Sequence, residues 1–126
     1  MEFNSNKSIY NQISDLICEN ILLGKFHEED RLDSVRDMAG NLEVNPNTVM
    51  RSYSFLQDEG IIYNKRGIGY FISTGAVTRI LDIKKRTFVD EELPSVFRQA
   101  DIYGISPDEI KVLYVDYKKG VENEEK

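Results

Sequence analysis

Residue types on which many catalytic and metal sites depend are nearly absent from this sequence. Cys18 is the one cysteine and His27 the one histidine among 126 residues. A single cysteine excludes an internal disulfide framework and a multi-cysteine metal site, and a single histidine argues against a histidine-dependent triad or a zinc site. No nucleophile can be paired with a general base. The sequence therefore predicts a protein that is not an enzyme and that has no metal and no other cofactor.

A different chemistry, hydrogen bonding to nucleic acid, is indicated between Val44 and Gln57. These 14 residues contain no acidic side chain, although the chain has 22 Asp and Glu residues among 126. A solvated polar helix face is the plain alternative, but it does not explain why the acids are missing here and return at Asp58. The side chains in this segment that can hydrogen-bond phosphates or base edges are Asn45, Asn47, Thr48, Arg51 and Ser54.

The total charge does not favour a nucleic-acid partner. Sixteen Lys and Arg residues stand against 22 Asp and Glu residues, which gives a net charge of −6. Such a balance argues weakly against any partner held by bulk electrostatics. DNA binding would therefore have to depend on the local distribution of charge.

The acid-free segment lies in the second half of a predicted helix–turn–helix unit. Apolar spacing predicts a first helix over Ser8–Leu23 and a short second helix over Ser34–Leu42. A three-residue turn then leads to a third helix, for which Asn45 is the N-cap and Pro46 the first helical residue. We expect Val49, Tyr53 and Leu56 to form its buried face, which leaves the polar side chains on the opposite face.

Beyond Gly60 the pattern changes to that of two β-strands joined by a hairpin. Residues 61–64 and 70–73 are β-branched and aromatic, as strands require. The connection carries Lys65, Arg66 and Gly67, which can reach an adjacent groove or the phosphate backbone of DNA. An ordinary surface hairpin with solubilising charges is the alternative. Helices followed by such a hairpin nevertheless have the element order of a winged helix.

After Thr74 the helical period returns, in three short amphipathic helices that are too small to build a large core. We predict an α+β, mostly α, fold: a winged helix-turn-helix domain over 1–75, a helical dimerisation region over 76–120 and a flexible tail over 121–126. The alternative is that these helices fold back on their own winged helix and leave a monomer. The apolar side chains expected at the dimer contact are Ile80, Leu81, Phe88, Leu93, Val96, Phe97, Leu113 and Tyr117.

Several spaced motifs in residues 9–73 resemble the DNA-binding domain of the GntR family of bacterial transcription regulators. They are I-Y-N-Q-I (9–13), I-L-L-G-K (21–25), D-R-L-D-S-V-R-D-M-A (30–39), V-N-P-N-T-V (44–49), Y-x-x-L-x-x-E-G-I-I (53–62) and R-G-I-G-Y-F-I (66–72). The short helical tail resembles the YtrA-like subgroup, whose C-terminal helices dimerise.

The resemblance implies DNA contacts by the S-V-R motif, the start of the third helix and the tip of the hairpin. The sequence departs from the family pattern where Glu28-Glu29 replaces Pro-Gly and Asp33 replaces Pro. We expect these acids to flank the interface and to weaken binding or raise its salt sensitivity. Phe55 has no explanation at this stage. The expected DNA-binding residues are Ser34, Arg36, Asn45, Asn47, Thr48, Arg51, Lys65, Arg66 and Gly67.

Together these features predict a sequence-specific DNA-binding transcriptional regulator, acting as a repressor and as a homodimer on a palindromic operator. Its partners would be double-stranded DNA and a second copy of itself. A winged helix used only for protein interactions is the alternative, which the acidic balance permits. The absence of a bilayer-length apolar run and of a signal peptide predicts a cytoplasmic protein without a membrane partner. The residues identify no small-molecule effector, which would have to change the relative placement of the two DNA-binding heads.

Overall fold

In the computed structural model, which describes residues 7–124, the third helix begins at its predicted N-cap, Asn45, and the second begins directly after Ser34. Ser34 Oγ accepts a hydrogen bond from the backbone N–H of Asp37 at 3.1 Å, and Asn45 Oδ1 accepts from Asn47 at 2.8 Å. These contacts satisfy donors that a helix start otherwise leaves free. The helices are α1 (Ile9–Leu22), α2 (Val35–Leu42) and α3 (Pro46–Asp58).

The wing is an antiparallel hairpin of β1 (Ile62–Lys65) and β2 (Gly69–Ile72). Ile62 lies opposite Ile72 and Lys65 opposite Gly69, so each strand is shifted by one residue from its predicted bounds. Arg31 adds a bridge to Phe71 on the outer side of β2. The connector before α2 is therefore part of the wing, and the winged helix-turn-helix of the predicted fold class is confirmed.

The core of this part lies between α1, α3 and the wing. Tyr53, in the middle of α3, is fully buried, and its ring meets the edge of Tyr70 with 4.9 Å between the ring centroids. Burying such aliphatic and aromatic side chains contributes roughly 1.5–3 kcal/mol each. Other side chains that are almost completely buried are Ile13, Ile17, Val49, Leu56, Ile61, Ile62 and Ile72.

The remaining elements are helical. They are α4 (Ala76–Thr87), a π-helical turn (Phe88–Glu92), α5 (Leu93–Ile102) and α6 (Pro107–Glu124). Ser106 Oγ accepts a hydrogen bond from the backbone N–H of Glu109 at 3.2 Å, which caps the start of α6. In the part of the chain covered by the structure, no helix is long and apolar enough to cross a membrane.

The chain divides into two compact units, residues 1–84 and 85–126, and this boundary differs from the predicted one at residue 75. The reason is that Ala76 and Ile80 of α4 are buried in the core of the winged helix. The interpretation of Ile80 as a dimer contact is therefore wrong, because a side chain with 1% exposure has no surface to offer a partner. The predicted tail also differs: residues 121–124 belong to α6, and 125–126 lie outside the described residues, as do 1–6 of the predicted first domain.

Candidate nucleic-acid interface

The polar face of α3 lies open to solvent. Asn47, Arg51 and Ser54 are exposed on the side of the helix opposite Val49 and Tyr53, whereas Thr48 is half-buried. Asn45 is exposed at the N-terminus, where its side-chain oxygen already caps the helix. The face can therefore present an amide, a hydroxyl and a guanidinium to base edges, which read a major groove by such groups.

Arg36 lies at the start of α2, next to the capping Ser34, and both are exposed. The Ser34 hydroxyl accepts from the helix backbone, so its own proton remains free for a phosphate oxygen. Tyr53 donates a hydrogen bond at 2.6 Å to the carbonyl of Asp33, immediately before this cap. Burial raises the pKa of Tyr53 well above its usual range, so the hydroxyl stays a donor. The bond ties the start of α2 to the middle of α3.

The tip of the wing supplies the third group of predicted residues. Lys65, Arg66 and Gly67 are exposed. Gly67 has a φ of 79°, a backbone conformation that glycine adopts more easily than other residues. Lys65 Nζ lies 5.7 Å from the centroid of the Phe71 ring on the neighbouring strand. The two basic side chains therefore lie exposed at the end of the hairpin.

Arg31 is a further basic residue at the wing that was not predicted. Its guanidinium packs against Gly69, where a Cβ would come within 3.1 Å of the Arg31 Nε atom. The arginine therefore fits there because residue 69 lacks a side chain. In the sequence, Arg31 is only a lone arginine in an acidic connector, and this pattern does not predict the strand bridge to Phe71.

Two tyrosines flank the exposed face of α3. On one side, Tyr70 donates a hydrogen bond to Met50 Sδ at 3.8 Å. On the other, the Arg51 guanidinium carbon lies over the Tyr10 ring, 4.4 Å from its centroid. Neither contact was predicted, although Tyr10 belongs to one of the motifs that carry the family resemblance.

Two of the three acids expected to flank the interface, Glu28 and Glu29, bind the residues just before α4. Glu28 accepts a hydrogen bond from the backbone N–H of Gly75 at 2.7 Å. Glu29 accepts from the Thr74 hydroxyl at 2.6 Å, from the Thr74 backbone N–H at 3.1 Å and from the Tyr63 hydroxyl at 2.7 Å. These carboxylates hold backbone donors just before a helix N-terminus, where negative charge is stabilising. Their hydrogen bonds give Glu28 and Glu29 a structural role.

The Glu29 contacts predict an acid-dependent stability. The Thr74 and Tyr63 hydrogen bonds lower the pKa of Glu29 below its ordinary 4.5, so folding favours the ionised form. The stabilisation is complete above the unfolded-state pKa and is lost as the pH falls through the lower folded-state pKa. We expect Glu29→Gln to lower the thermal midpoint at neutral pH and the difference from the unmodified protein to shrink below about pH 4.5. Thermal unfolding of both proteins from neutral to acidic pH measures this difference in midpoint. A difference that does not change with pH would contradict the stabilising role of the ionised Glu29.

Cys18 and the acidic groups offer no alternative site. Cys18 is buried, as expected of a core residue, and burial raises the pKa of its thiol to about 11. Such a thiol is a poor nucleophile and metal ligand. Across residues 7–124, no group of three or more His, Cys, Asp or Glu side chains is arranged to hold a metal ion.

The predicted dimer contacts other than Ile80 retain accessible surface. Leu93 is half-buried and the others are exposed. α6 has no buried residue, and its exposed fractions reach 60% at Leu113 and 64% at Tyr117. The exposed members of the set are Leu81, Phe88, Val96, Phe97, Leu113 and Tyr117.

An exposed polar face on α3, an open start of α2 and a basic wing define a winged-helix, DNA-binding transcriptional regulator. The comparisons with known proteins agree. The model for bacterial regulatory proteins of the gntR family matches residues 9–72, and the chain belongs to the GntR family.

The chain is also similar to individual members over most of its length. It is 36% identical to the HTH-type transcriptional repressor YtrA of Bacillus subtilis, over 95% of each chain. It is 37% identical to the transcriptional regulator YhcF of Bacillus subtilis, over 86% of this chain and 88% of YhcF. A crystal structure of a GntR-family regulator from Bacteroides thetaiotaomicron matches with a TM-score of 0.78 and 48% identity, covering 89% of this chain and 97% of that one.

Proposed function

We propose that this regulator is a homodimer that binds a palindromic operator with sequence specificity and represses transcription. In this proposal it acts in the cytoplasm and catalyses no reaction. The observation that carries the proposal is the acid-free, solvent-exposed face of α3 in a chain with a net charge of −6. A fold alone does not define a partner. The absence of acidic side chains from the α3 face of an otherwise acidic protein favours the binding of a polyanion at that face.

Each predicted contact has a separate task in this proposal. α3 enters the major groove, where Asn47, Thr48 and Arg51 meet base edges. Arg36 and the α2 start bind phosphates, which set the register of the protein on the duplex. The Lys65–Gly67 tip meets the flanking groove. Phosphate neutralisation supplies most non-specific affinity, so a head with few cations should bind weakly alone.

The exposed apolar residues of the second unit support the homodimer. Leu113 and Tyr117 lie one turn apart on α6 and present a continuous apolar strip. A surface of this kind on a small soluble protein is typical of an interaction site. A two-fold axis would place two heads on the halves of a palindrome and make the second binding step intramolecular. The similarity to the YtrA repressor favours repression over activation.

Replacing Arg36 or Arg51 by Ala tests the DNA contacts. We expect each change to weaken operator binding by roughly 1–3 kcal/mol. A titration monitored by fluorescence anisotropy, with a duplex that the unmodified chain enriches from random sequences, measures the loss. Only Arg51→Ala should relax base preference, because a phosphate contact carries no sequence information.

The matched control is Arg98→Ala, which removes an exposed arginine outside the winged helix. It should leave binding unchanged. If both Arg36→Ala and Arg51→Ala bind as tightly as the unmodified protein, the interface is wrong. If the unmodified protein enriches no duplex at all, a winged helix used only for protein interactions becomes the better account.

A further inference from the structure

The contact between Tyr10 and Arg51 joins the first helix to the exposed face of α3. The guanidinium carbon lies 4.4 Å from the ring centroid, within the range in which an arginine is attracted to an aromatic face. Tyr10 is half-buried whereas Arg51 is exposed, so the ring is held in place while the cation remains accessible. The contact therefore lies at the boundary between the core and the proposed DNA surface.

A buried chain of hydroxyl groups fixes the backbone beneath this contact. Ser14 Oγ lies 2.9 Å from the carbonyl oxygen of Tyr10, which can only accept, so Ser14 must donate its proton there. Ser14 Oγ also lies 2.7 Å from Ser52 Oγ, and since its proton is already used, Ser52 is the donor in that bond. Both serines are almost fully buried. The residue after Arg51 is thereby linked to the carbonyl of Tyr10.

The electrostatic setting leaves Arg51 available for DNA. Within residues 7–124, no carboxylate forms an ion pair with its guanidinium. An aromatic face attracts the cation without occupying its N–H groups as a carboxylate would, so these donors can still form paired hydrogen bonds. A long arginine side chain also loses conformational entropy when it binds DNA. The contact with Tyr10, already formed in the free protein, reduces this loss.

We propose that Tyr10 is a positioning residue for base recognition: its ring holds the Arg51 guanidinium in a conformation suited to the major groove. The inference rests on the proposed function and deepens it, because it makes α1 part of the specificity-determining site. Tyr10 acts through Arg51 and does not itself read a base.

The test combines Tyr10→Leu, Tyr10→Phe and Arg51→Ala in the full chain. The probe is a labelled duplex enriched from random sequences by the unmodified protein. We expect Tyr10→Leu to weaken binding roughly five-fold, the size of a moderate cation–π contact. Tyr10→Phe keeps the ring and should bind as the unmodified protein does. In an Arg51→Ala background, Tyr10→Leu should cause no further loss, because the partner is already absent.

Base preference separates positioning from a structural role. Each base pair of the duplex is substituted in turn, and Tyr10→Leu should lose discrimination at the same base pairs as Arg51→Ala. Ile9→Ala, a change at the exposed neighbour of Tyr10 on α1, should alter neither affinity nor preference. Thermal unfolding of each variant shows whether the fold is kept.

Three outcomes would overturn the proposal. Additive losses in the double variant would show that Tyr10 acts independently of Arg51. Tighter binding by Tyr10→Leu would show that the ring withholds the arginine from DNA. Equal binding by Tyr10→Leu and the unmodified protein would show that the contact has no role. In each case the unmodified protein still binds its duplex, so a failure of the inference is distinct from a failure of the proposed function.

Discussion

Replacing Leu113 and Tyr117 together by Glu should make the protein monomeric and lower its affinity for a palindromic duplex roughly 10²–10⁴-fold. Both side chains are more than half exposed on α6, so the change should leave the fold intact. Two carboxylates in each copy would be desolvated and would face like charges across the two-fold axis, which disfavours association. Light scattering at micromolar concentration reports the mass of the particle, to be compared with 14.6 kDa for one chain.

The matched control is Lys118→Gln with Asn123→Glu, which changes the net charge by the same amount on the same helix. It should remain a dimer with unchanged affinity. A duplex with only one half-site provides the second comparison, since the unmodified protein and the Glu variant should bind it about equally. A mass near 14.6 kDa for the unmodified protein would refute the homodimer.

Replacing Tyr53 by Ala should destabilise the winged helix by about 3–5 kcal/mol. The change removes a fully buried ring, its edge contact with Tyr70 and its hydrogen bond to the Asp33 carbonyl. A loss of this size is comparable to the whole stability of a small domain, roughly 5–15 kcal/mol. Chemical denaturation monitored by circular dichroism measures the free energy of unfolding.

Two variants separate the contributions at Tyr53. Tyr53→Phe keeps the ring but leaves the Asp33 carbonyl without its donor, which should cost about 1–3 kcal/mol. Tyr114→Ala removes an equal ring at an exposed position and should change the free energy of unfolding by less than about 0.5 kcal/mol. A Tyr53→Ala variant as stable as Tyr114→Ala would contradict the assigned core.

The elements that local rules govern were predictable from the sequence. The caps at Ser34 and Asn45 depend on residues two or three positions away, so a short window contains all the information needed. The return to a helical period after Thr74 is equally local. The exposed face of α3 followed from its three buried apolar residues, because helical geometry places the polar side chains opposite them.

Contacts between distant residues were not predictable in the same way. An amphipathic stripe indicates that Ile80 is buried, but it does not indicate which residues pack against it. The sequence therefore could not distinguish a core residue from a dimer contact at this position. Glu28 and Glu29 bind residues more than 40 positions away, and charge alone suggested an effect on DNA instead. The Tyr10–Arg51 contact depends on how α1 packs on α3, which the period of neither helix specifies.

The burial of Cys18 makes the chain well suited to site-specific spectroscopic labelling. Burial raises the pKa of this thiol to about 11, so it holds very little reactive thiolate at neutral pH, and it is also shielded from reagents. A cysteine introduced at the exposed Asn64 or Lys118 would therefore react with a maleimide dye while the native one stays unmodified. Energy transfer between such dyes could follow the wing and α6 in an otherwise unaltered sequence.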